Sequence, residues 1–371
     1  MRRKYGLKTR LHRVSHSFLA AATACPLRGF WEGIVEIPVP QSPPAVLGQA
    51  MHYMFQQFYS QHPTTKRYPY QEEAKLQGAF KHFWWGAVNG RHGFSGRGTA
   101  PRDVAWQSAD QAGQFYGRGA AYLRNFFARA NPTRQDQMIH YRLVERRATV
   151  NWQGLIVTSV FDRLDVGLFL TADEQVLPGA CVVDYKPSEF PDHQLAEGTQ
   201  FSIYQWLYET AVRPSLPGMP PLLQMQVHNY GRDQISDVPL RDPVIFDELR
   251  RLMGQVTGYY LKIISNQPVS EIYPFFDQAD LERRTISPKL PRGQHCQYCG
   301  HVASCQRYVR MSPAEQYSLM RQQLSQRFGR QPDDQQSDLG LPVEHLYPGV
   351  AAITYEQLQR RQGAPQLVLE V

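Results

Sequence analysis

Three consecutive runs of strand-like sequence constrain the fold of this chain more than any other feature. Met138–Val150, Gly154–Phe169 and Gly179–Tyr185 are rich in Val, Ile, Leu and Thr, which favour a pleated, half-buried backbone. The second and third runs are joined by the stretch Thr171–Pro178, so we expect them to form a hairpin. The sequence therefore predicts a sheet core over residues 136–235.

Helical segments surround this sheet core. Residues 45–135 are mainly helical by their apolar spacing, beginning with an amphipathic helix over Ala45–Ser60. A helix is predicted at Leu195–Val212, a strand at Leu222–Asn229 and a long helix at Pro243–Asn266. This order predicts an α+β fold, in which a small mixed central sheet is flanked by helices and preceded by a helical insertion.

Composition and charge narrow the class of protein. The 371 residues, 42% hydrophobic and 20% charged, suffice for two to three domains and exclude a disordered, collagen-like or disulfide-stapled chain. No run approaches the roughly 18 to 20 apolar residues of a membrane span. The net charge is +7, and 32 Arg outnumber 8 Lys. Because Arg forms bidentate hydrogen bonds with phosphate, the excess fits a nucleic-acid partner, although a GC-rich coding bias explains it equally well.

The N-terminus superficially resembles a secretion signal. Met1–Arg13 is basic, and the small apolar run Ser17–Ala24 precedes Cys25. The run has only eight residues and is followed by Pro26, so we expect a short helix instead. The predicted compartment is the cytoplasm, where unpaired cysteines are more often metal ligands or core residues than disulfides.

Two carboxylates end the two strands of the predicted hairpin. Asp184 and Lys186 stand two residues apart after an apolar strand and so share one side of it. Chance alone predicts about 0.7 such acidic-x-Lys matches in this chain, and Glu73-Ala74-Lys75 is a decoy in a helical segment. Asp162 follows the run Ile156–Phe161, and the hairpin would set it beside Asp184, where the pair suits Mg²⁺ or Mn²⁺. The alternative is that Asp162 is a surface residue at a strand end.

Two helix pairs accompany these carboxylates. Gly48 lies one helical turn before His52, and the missing side chain would allow a neighbouring element to approach closely. Gln200 and Tyr204 repeat this spacing on the helix after the acidic-lysine strand. Taken singly, His52 is more often a satisfied core residue than a ligand, and Gln200 with Tyr204 is an ordinary helix-surface pair.

In this order the residues resemble the RecB-type branch of the PD-(D/E)XK nuclease superfamily. The matching motifs are G-x-x-x-H on a helix, Asp-Arg-hydrophobic-Asp at a strand end, D-x-K after an apolar strand and Q-x-x-x-Y on the next helix, all between Ser15 and Cys305. The resemblance implies a restriction-endonuclease-like core and a Mg²⁺- or Mn²⁺-dependent deoxyribonuclease. One departure is Ser159, where the family often has Gly.

The resemblance also assigns roles. It implies metal ligation by the side chains of His52, Asp162 and Asp184 and by the carbonyl of Tyr185. Lys186 is the implied catalytic lysine, and Gln200 and Tyr204 are the implied supporting helix pair.

The cysteine spacing indicates a further cofactor. Cys296, Cys299 and Cys305 lie within ten residues, and Cys25 lies far upstream. Structural zinc usually takes local ligand pairs, whereas the ligand spacings of a [4Fe–4S] cluster vary more widely. The four thiols resemble those of the iron–sulfur nucleases, which include AddB-type nuclease domains and CRISPR-associated RecB-like exonucleases. The resemblance implies a cluster that joins the N- and C-terminal segments; zinc, with His295 or His301 replacing one thiolate, is the alternative.

The remaining expectations concern organisation. Residues 1–311 form one nuclease body, with the cysteine cluster at 292–308, and 312–371 form a helix, a polar linker and a tail. Cys181 is expected in the core. Two sets of side chains are considered for DNA contact. The candidates for contact with backbone phosphates are Arg28, Arg146, Arg147 and Arg163. The candidates for base stacking are Trp84, Trp85, Trp106 and Tyr116, although core packing is favoured for them.

The expected activity is that of an exonuclease acting on DNA ends or single strands, in DNA repair and recombination or in CRISPR and mobile-element processing. A helicase or a CRISPR or defence protein is the expected partner, and no membrane is involved. The alternative is a catalytically silent or zinc-bearing DNA-binding subunit of such a complex.

Overall fold

The computed structural model describes most of the chain up to Ile264 and a few later residues. The described residues are 13–24, 26–35, 39–60, 70, 72–96, 104–130, 139–152, 155–171, 173–186, 199–264, 301, 315, 318–319, 322–323 and 366–368. They divide into two compact units. The first comprises Met1–Val39, Thr149–Thr158 and Asp242–Val368, and the second comprises Pro40–Ala148, Ser159–Arg241 and Leu369–Val371.

After a short first strand, helices precede the main sheet strands along the chain, as the sequence predicts. The described elements are β1 (Arg13–Ser15), α1 (His16–Ala24), α2 (Pro26–Gly29), the π-helical turn π1 (Phe30–Val35), α3 (Pro43–Tyr59), α4 (Glu73–Val88), α5 (Gln111–Ala130), β2 (Ile139–Trp152), β3 (Leu155–Leu170), β4 (Val176–Tyr185), α6 (Thr199–Leu207), the π-helical turn π2 (Tyr208–Val212), α7 (Arg213–Ser215), β5 (Leu222–Asn229), β6 (Gln234–Val238), α8 (Val244–Ile264) and β7 (Gln366–Val368).

The second unit contains a mixed sheet with the strand order β6-β5-β4-β3-β2. β3 and β4 form the predicted antiparallel hairpin, and their register sets Arg163 opposite Val183 and Leu170 opposite Val176. β4 runs parallel to β5, and β5 runs antiparallel to β6. Because a parallel pair needs a long crossover, the chain passes through α6 between β4 and β5. The α+β prediction with a mixed sheet is confirmed and is consistent with a restriction-endonuclease-like fold.

Helices α3, α4 and α5 pack with the sheet through one apolar cluster in the second unit. Helix α3 begins at Pro43, before the predicted Ala45, because proline suits the first turn and Ser42 Oγ accepts a hydrogen bond from Ala45 N at 3.4 Å. Its buried face recurs at helical spacing. That face consists of Val46, Leu47, Ala50, Met51, Met54, Phe55 and Phe58.

The aromatic residues of the helical insertion lie in this cluster, which confirms core packing for them. Trp84 is fully buried, and its Nε1 donates to the carbonyl of Ala112 at 3.1 Å. The ring of Tyr116 stacks on Phe80 with centroids 5.5 Å apart. Trp85 and Trp106 are partly buried against the same cluster. These rings therefore pack against other side chains of the protein.

The helix after β4 differs from its prediction at its end. Helix α6 widens into π2 and continues as α7, which contains Pro214, instead of stopping before that proline. Proline has no N–H, so it cannot donate the hydrogen bond that an α-helix would require of it. The π-helical turn just before it changes the hydrogen-bonding pattern at that point. The predicted strand at Gly179 likewise differs, since it begins earlier, at Val176.

The first unit brings distant parts of the chain together. β1 pairs in parallel with the start of β3, and β7 pairs antiparallel with the end of β2. The Nε1 of Trp31 donates to Gln323 Oε1 at 3.2 Å, and its ring lies 5.4 Å from that of His301. An N-terminal segment thus contacts two residues of the C-terminal part. Among the helices of the described ranges, none combines the length and the apolar character that crossing a membrane requires.

Candidate active site

Asp162 and Asp184 lie side by side at the end of the β3–β4 hairpin. The register that pairs Arg163 with Val183, continued by one residue, sets the two aspartates opposite each other. Both are buried, and Asp162 Oδ2 accepts a hydrogen bond from the backbone N–H of Tyr185 at 2.8 Å. The hairpin inferred from the sequence therefore brings the two carboxylates together.

Lys186 is held directly against Asp184. Its Nζ lies 2.6 Å from Asp184 Oδ2 and donates to Gln200 Oε1 at 3.1 Å. Its backbone N–H donates to the carbonyl of His228 at 3.0 Å, which continues the pairing with β5 past the end of β4. The ammonium is thus fixed at the strand end beside both aspartates.

Gln200 and Tyr204 project from α6 onto the other oxygen of Asp184. Gln200 Nε2 donates to Asp184 Oδ1 at 2.6 Å and lies 2.7 Å from the hydroxyl of Tyr204. The Tyr204 hydroxyl donates to the same Oδ1 at 3.3 Å. Because they are four residues apart, the two side chains share one face of the helix and fix one orientation of Asp184.

His52 and Glu145 complete the group on the side of Asp162. The Nδ1 of His52 lies 3.4 Å from Asp162 Oδ1 and 3.4 Å from Glu145 Oε1. One ligand atom from each of the three residues lies within 4.8 Å of the others, an arrangement that fits a metal ion. Tyr185, the fourth metal ligand implied by the resemblance, presents the edge of its ring to His52, with centroids 6.1 Å apart.

Glu145 is the residue that the sequence analysis missed. In a regular strand, side chains three residues apart point to opposite faces, yet both Arg142 and Glu145 of β2 reach α3. The Arg142 guanidinium lies 5.1 Å from the ring centroid of Tyr59, and Glu145 approaches His52. Glu145 has a left-handed φ of 52°, which breaks the alternation. Glu favours neither this conformation nor a strand, so the sequence carried no signal for it.

The charges in the site are strongly coupled. Burial raises the pKa of Asp184 to about 6, with Asp162 adding to the rise and Lys186 opposing it. Burial alone raises the pKa of Asp162, but His52 and Lys186 outweigh it and lower this pKa. Burial would lower the pKa of His52, but Asp162 and Glu145 raise it to about 10. Three carboxylates thus face two cations, an excess of negative charge that favours a divalent cation.

Arg163 has a different place from the one considered in the sequence analysis. It is buried, its Nε lies 3.0 Å from Asp165 Oδ2, and its Nη1 donates to the hydroxyls of Tyr59 at 2.8 Å and Tyr185 at 3.2 Å. The proposal that it contacts a DNA backbone is therefore wrong, because the guanidinium is enclosed by protein. Its hydrogen bond to the Tyr185 hydroxyl instead links Tyr185, whose backbone N–H donates to Asp162, to the strand β3.

Gly48 also departs from expectation. A Cβ at this position would meet no heavy atom of the described residues within 4 Å, so no element among them uses the missing side chain. Ser159, the departure from the family pattern, is buried in β3. Cys181 is buried as predicted, and burial raises the pKa of its thiol. The other four cysteines, whose roles stay predictions, lie outside the described residues: Cys25, Cys296, Cys299 and Cys305.

The donor set fits a divalent ion. Glu145 Oε1 is a buried oxygen that finds no hydrogen-bond partner within the part of the chain that the structure describes. Carboxylate oxygens with one imidazole suit Mg²⁺ or Mn²⁺, the imidazole favouring manganese. All the residues of this group belong to the second unit.

Comparison with known proteins agrees with this geometry. The family model of the PD-(D/E)XK nuclease superfamily matches residues 13–306 of the chain, a stretch that contains every side chain of the group described above. A search of curated proteins finds no match.

Proposed function

The chain belongs to the PD-(D/E)XK nuclease superfamily, and on that premise we propose that it is a Mg²⁺- or Mn²⁺-dependent deoxyribonuclease. The observation that carries the proposal is the meeting of Asp162, Asp184 and Lys186 at one end of the β3–β4 hairpin. Buried carboxylates held against a lysine at a strand end provide both a cation site and a donor for a phosphate or a water.

Each side chain has a proposed role in phosphodiester hydrolysis. The divalent ion would be held by His52, Asp162, Asp184 and the Tyr185 carbonyl, and when bound it would supply Lewis acidity to the scissile phosphate and lower the pKa of a bound water. Lys186 orients the attacking water and offsets the negative charge that develops on the phosphate.

Gln200 and Tyr204 act on Asp184. Their hydrogen bonds occupy Oδ1 of that carboxylate and fix its rotation, so that Oδ2 faces Lys186. We propose that this keeps the carboxylate oriented while substrate binds and product leaves.

End-labelled DNA incubated with the protein and Mn²⁺ tests the activity. Asp184→Asn and Lys186→Met are expected to lower the cleavage rate by about 10²-fold or more, since each removes a positioned charge. The matched controls are Asp173→Asn, in the exposed turn after β3, and Lys75→Met, in the exposed decoy motif of α4, which should cleave at the parent rate. Cleavage by both site variants at the parent rate would refute the catalytic assignment. Failure of the parent itself to cleave DNA would instead favour the alternative of a catalytically silent DNA-binding subunit.

We further propose, on the family resemblance, exonuclease action on DNA ends or single strands, in DNA repair and recombination or CRISPR and mobile-element processing, with a helicase or defence protein as partner. Linear and covalently closed circular DNA of the same sequence distinguish the modes. An exonuclease degrades only the linear form, so rapid linearisation of the circle would contradict the proposal. Cytoplasmic location stays a prediction.

The iron–sulfur cluster is a separate proposal. We propose that Cys25, Cys296, Cys299 and Cys305 hold a [4Fe–4S] cluster, which joins the ends of a nuclease body over residues 1–311, with 312–371 as a linked tail. The approach of Trp31 to His301 supports it, since these residues neighbour the first and last cysteines in sequence. Anaerobically purified protein should be brown and contain about four iron and four sulfide per chain. A colourless protein that contains zinc and no iron would support the zinc alternative instead.

A further inference from the structure

Glu145 lies where a ligand of the proposed metal ion would lie. Its Oε1 is buried and finds no hydrogen-bond partner among the described residues. Its 3.4 Å separation from His52 Nδ1 equals that between His52 Nδ1 and Asp162 Oδ1. Both distances exceed the usual 2.7–3.2 Å range of an N–H···O hydrogen bond. The three groups therefore face one another without being joined by good hydrogen bonds.

These separations have a simple meaning in coordination chemistry. Two ligand atoms that each lie about 2.1 Å from one divalent ion are about 3.0 to 3.4 Å apart, for octahedral and tetrahedral angles respectively. The two 3.4 Å distances around His52 Nδ1 match that range. A hydrogen-bonded arrangement of the same groups would be tighter.

The backbone conformation of β2 sets the direction of the Glu145 carboxylate. Glu145 has a φ of 52°, a left-handed conformation that residues with a side chain rarely adopt. In a regular strand the residue would point to the opposite face from Arg142, which contacts Tyr59 of α3. The left-handed conformation turns Glu145 toward α3 as well and so toward His52.

We infer that Glu145 is a ligand of the metal centre, an acidic group beyond the motif residues, which binds the divalent cation together with His52 and Asp162. The inference rests on the proposed function, because it concerns the same ion. Its consequence is that the cation is held from β2 and α3 as well as from the hairpin, with Asp162 as the ligand shared by both sides.

Mn²⁺ binding to the full chain, measured by electron paramagnetic resonance and calorimetry in the absence of DNA, tests the inference. Glu145→Gln keeps the size of the side chain and should raise the Kd for Mn²⁺ by at least about tenfold. Glu145→Gly should do the same while its melting temperature in EDTA stays equal to that of the parent or rises, because glycine accepts a left-handed φ without steric cost.

Glu174 offers a matched control. It is also a glutamate with a left-handed φ, of 60°, but it lies exposed in the turn between β3 and β4. Glu174→Gln and Glu174→Gly make the same chemical and backbone changes and should leave the Kd for Mn²⁺ unchanged. A loss of affinity confined to the Glu145 variants, with melting temperatures maintained, supports the inference.

Two results would overturn it, and they differ in what else they remove. If the parent binds Mn²⁺ and cleaves DNA while Glu145→Gln binds Mn²⁺ with the parent Kd, Glu145 is no ligand and the proposed function stands. If the parent neither binds Mn²⁺ nor cleaves DNA, the inference and the proposed function are both wrong.

Discussion

His228 is a buried imidazole that the site holds in its neutral form. Its Nδ1 lies 3.0 Å from the hydroxyl of Tyr230, and its Nε2 lies 3.0 Å from Gln226 Oε1. Gln226 Nε2 donates to Asp237 Oδ1, so its Oε1 is the atom left to accept from His228. The tautomer that follows carries its proton on Nε2 and accepts at Nδ1 from Tyr230. Burial, assisted by Arg163, lowers the pKa of His228 well below its usual range.

The neutral state of His228 predicts a loss of stability in mild acid. Because its pKa is lower in the folded chain, the unfolded chain binds a proton first as the pH falls below about 6.5, and the free energy of unfolding decreases by up to about 1.4 kcal/mol per pH unit. Above that pH the contribution is fully present. Urea unfolding at pH 7.5, 6.0 and 5.0 should show that the parent loses stability relative to His228→Gln as the pH falls.

The control for this prediction is His82→Gln, on the exposed face of α4. It should retain the pH dependence of the parent. Parallel curves for the parent and His228→Gln would contradict the prediction.

Arg163 is a second residue whose burial has a measurable effect. Replacing it by methionine leaves Asp165 buried, with Arg142 Nε, at 3.0 Å from its Oδ1, as the remaining partner. Removing one member of a buried ion pair typically costs about 3 to 5 kcal/mol, so Arg163→Met should lower the free energy of unfolding by about 3 kcal/mol.

Arg213→Met serves as the comparison for that change. Arg213 forms an exposed pair with Glu209, four residues earlier, at 2.9 Å. Exposed pairs of this spacing contribute about 0.5 kcal/mol or less. Chemical denaturation measures both variants, and equal losses would mean that the Arg163 network contributes no more than a surface contact.

At the scale of elements, the two helical glycines Gly48 and Gly119 make opposite predictions. In the described part of the chain, a Cβ on Gly48 of α3 would meet no atom within 4 Å, whereas a Cβ on Gly119 of α5 would lie 2.5 Å from the ring of Phe80. Gly48→Ala should therefore raise the free energy of unfolding by about 0.5 to 1 kcal/mol through helix propensity. Gly119→Ala should lower it, since Phe80 is fully buried and has no room to move.

Thermal melting of the Gly48→Ala and Gly119→Ala variants measures both changes in stability. Gly78→Ala in α4, another glycine with open space around it, is the control and should match Gly48→Ala. If Gly48→Ala proves less stable than the parent, the result would support the expectation from the sequence that a neighbouring element approaches Gly48 closely.

The strands that carry the predicted site, β3 and β4, could be predicted from the sequence for a physical reason. Apolar runs of strand length predict β3 and β4, and a hairpin of fixed register then necessarily sets Asp162 beside Asp184. The burial of Arg163 was not readable, because a charged residue after a strand is exposed or enclosed according to what packs over it. The open space at Gly48 likewise depends on a neighbour that a helix pattern does not specify.

At the scale of the whole molecule, the two units are discontinuous in sequence. The chain passes from one to the other at Val39–Pro40, Ala148–Thr149, Thr158–Ser159, Arg241–Asp242 and Val368–Leu369. Composition and linker patterns detect boundaries between consecutive segments, so such a division leaves no compositional trace. No single truncation point separates the units, and tests of function therefore need the full chain.

Metal binding should stabilise the folded chain as a whole. A ligand that binds only the native state adds about 2.7 kcal/mol at one hundred times its Kd. MnCl₂ should therefore raise the melting temperature of the parent in a concentration-dependent way. Asp162→Asn, which alters a proposed carboxylate ligand, should show little of this shift, whereas Asp173→Asn should show all of it.

An equal shift in the Asp162 variant would mean that Mn²⁺ stabilises the chain from another site. Differential scanning fluorimetry against a MgCl₂ series checks the preference for manganese that the imidazole of His52 suggests.

The geometry of the β3–β4 hairpin also offers a practical use. Its turn lies between Leu170 and Val176, both exposed, and eight residues separate Leu170 from Asp162 along β3. At about 3.4 Å per residue, the turn is about 27 Å from the end of the hairpin that carries Asp162 and Asp184. An epitope tag or a fluorescent dye placed at Asp173 would therefore report on the protein in cells or on single DNA molecules while the cleavage chemistry proceeds undisturbed.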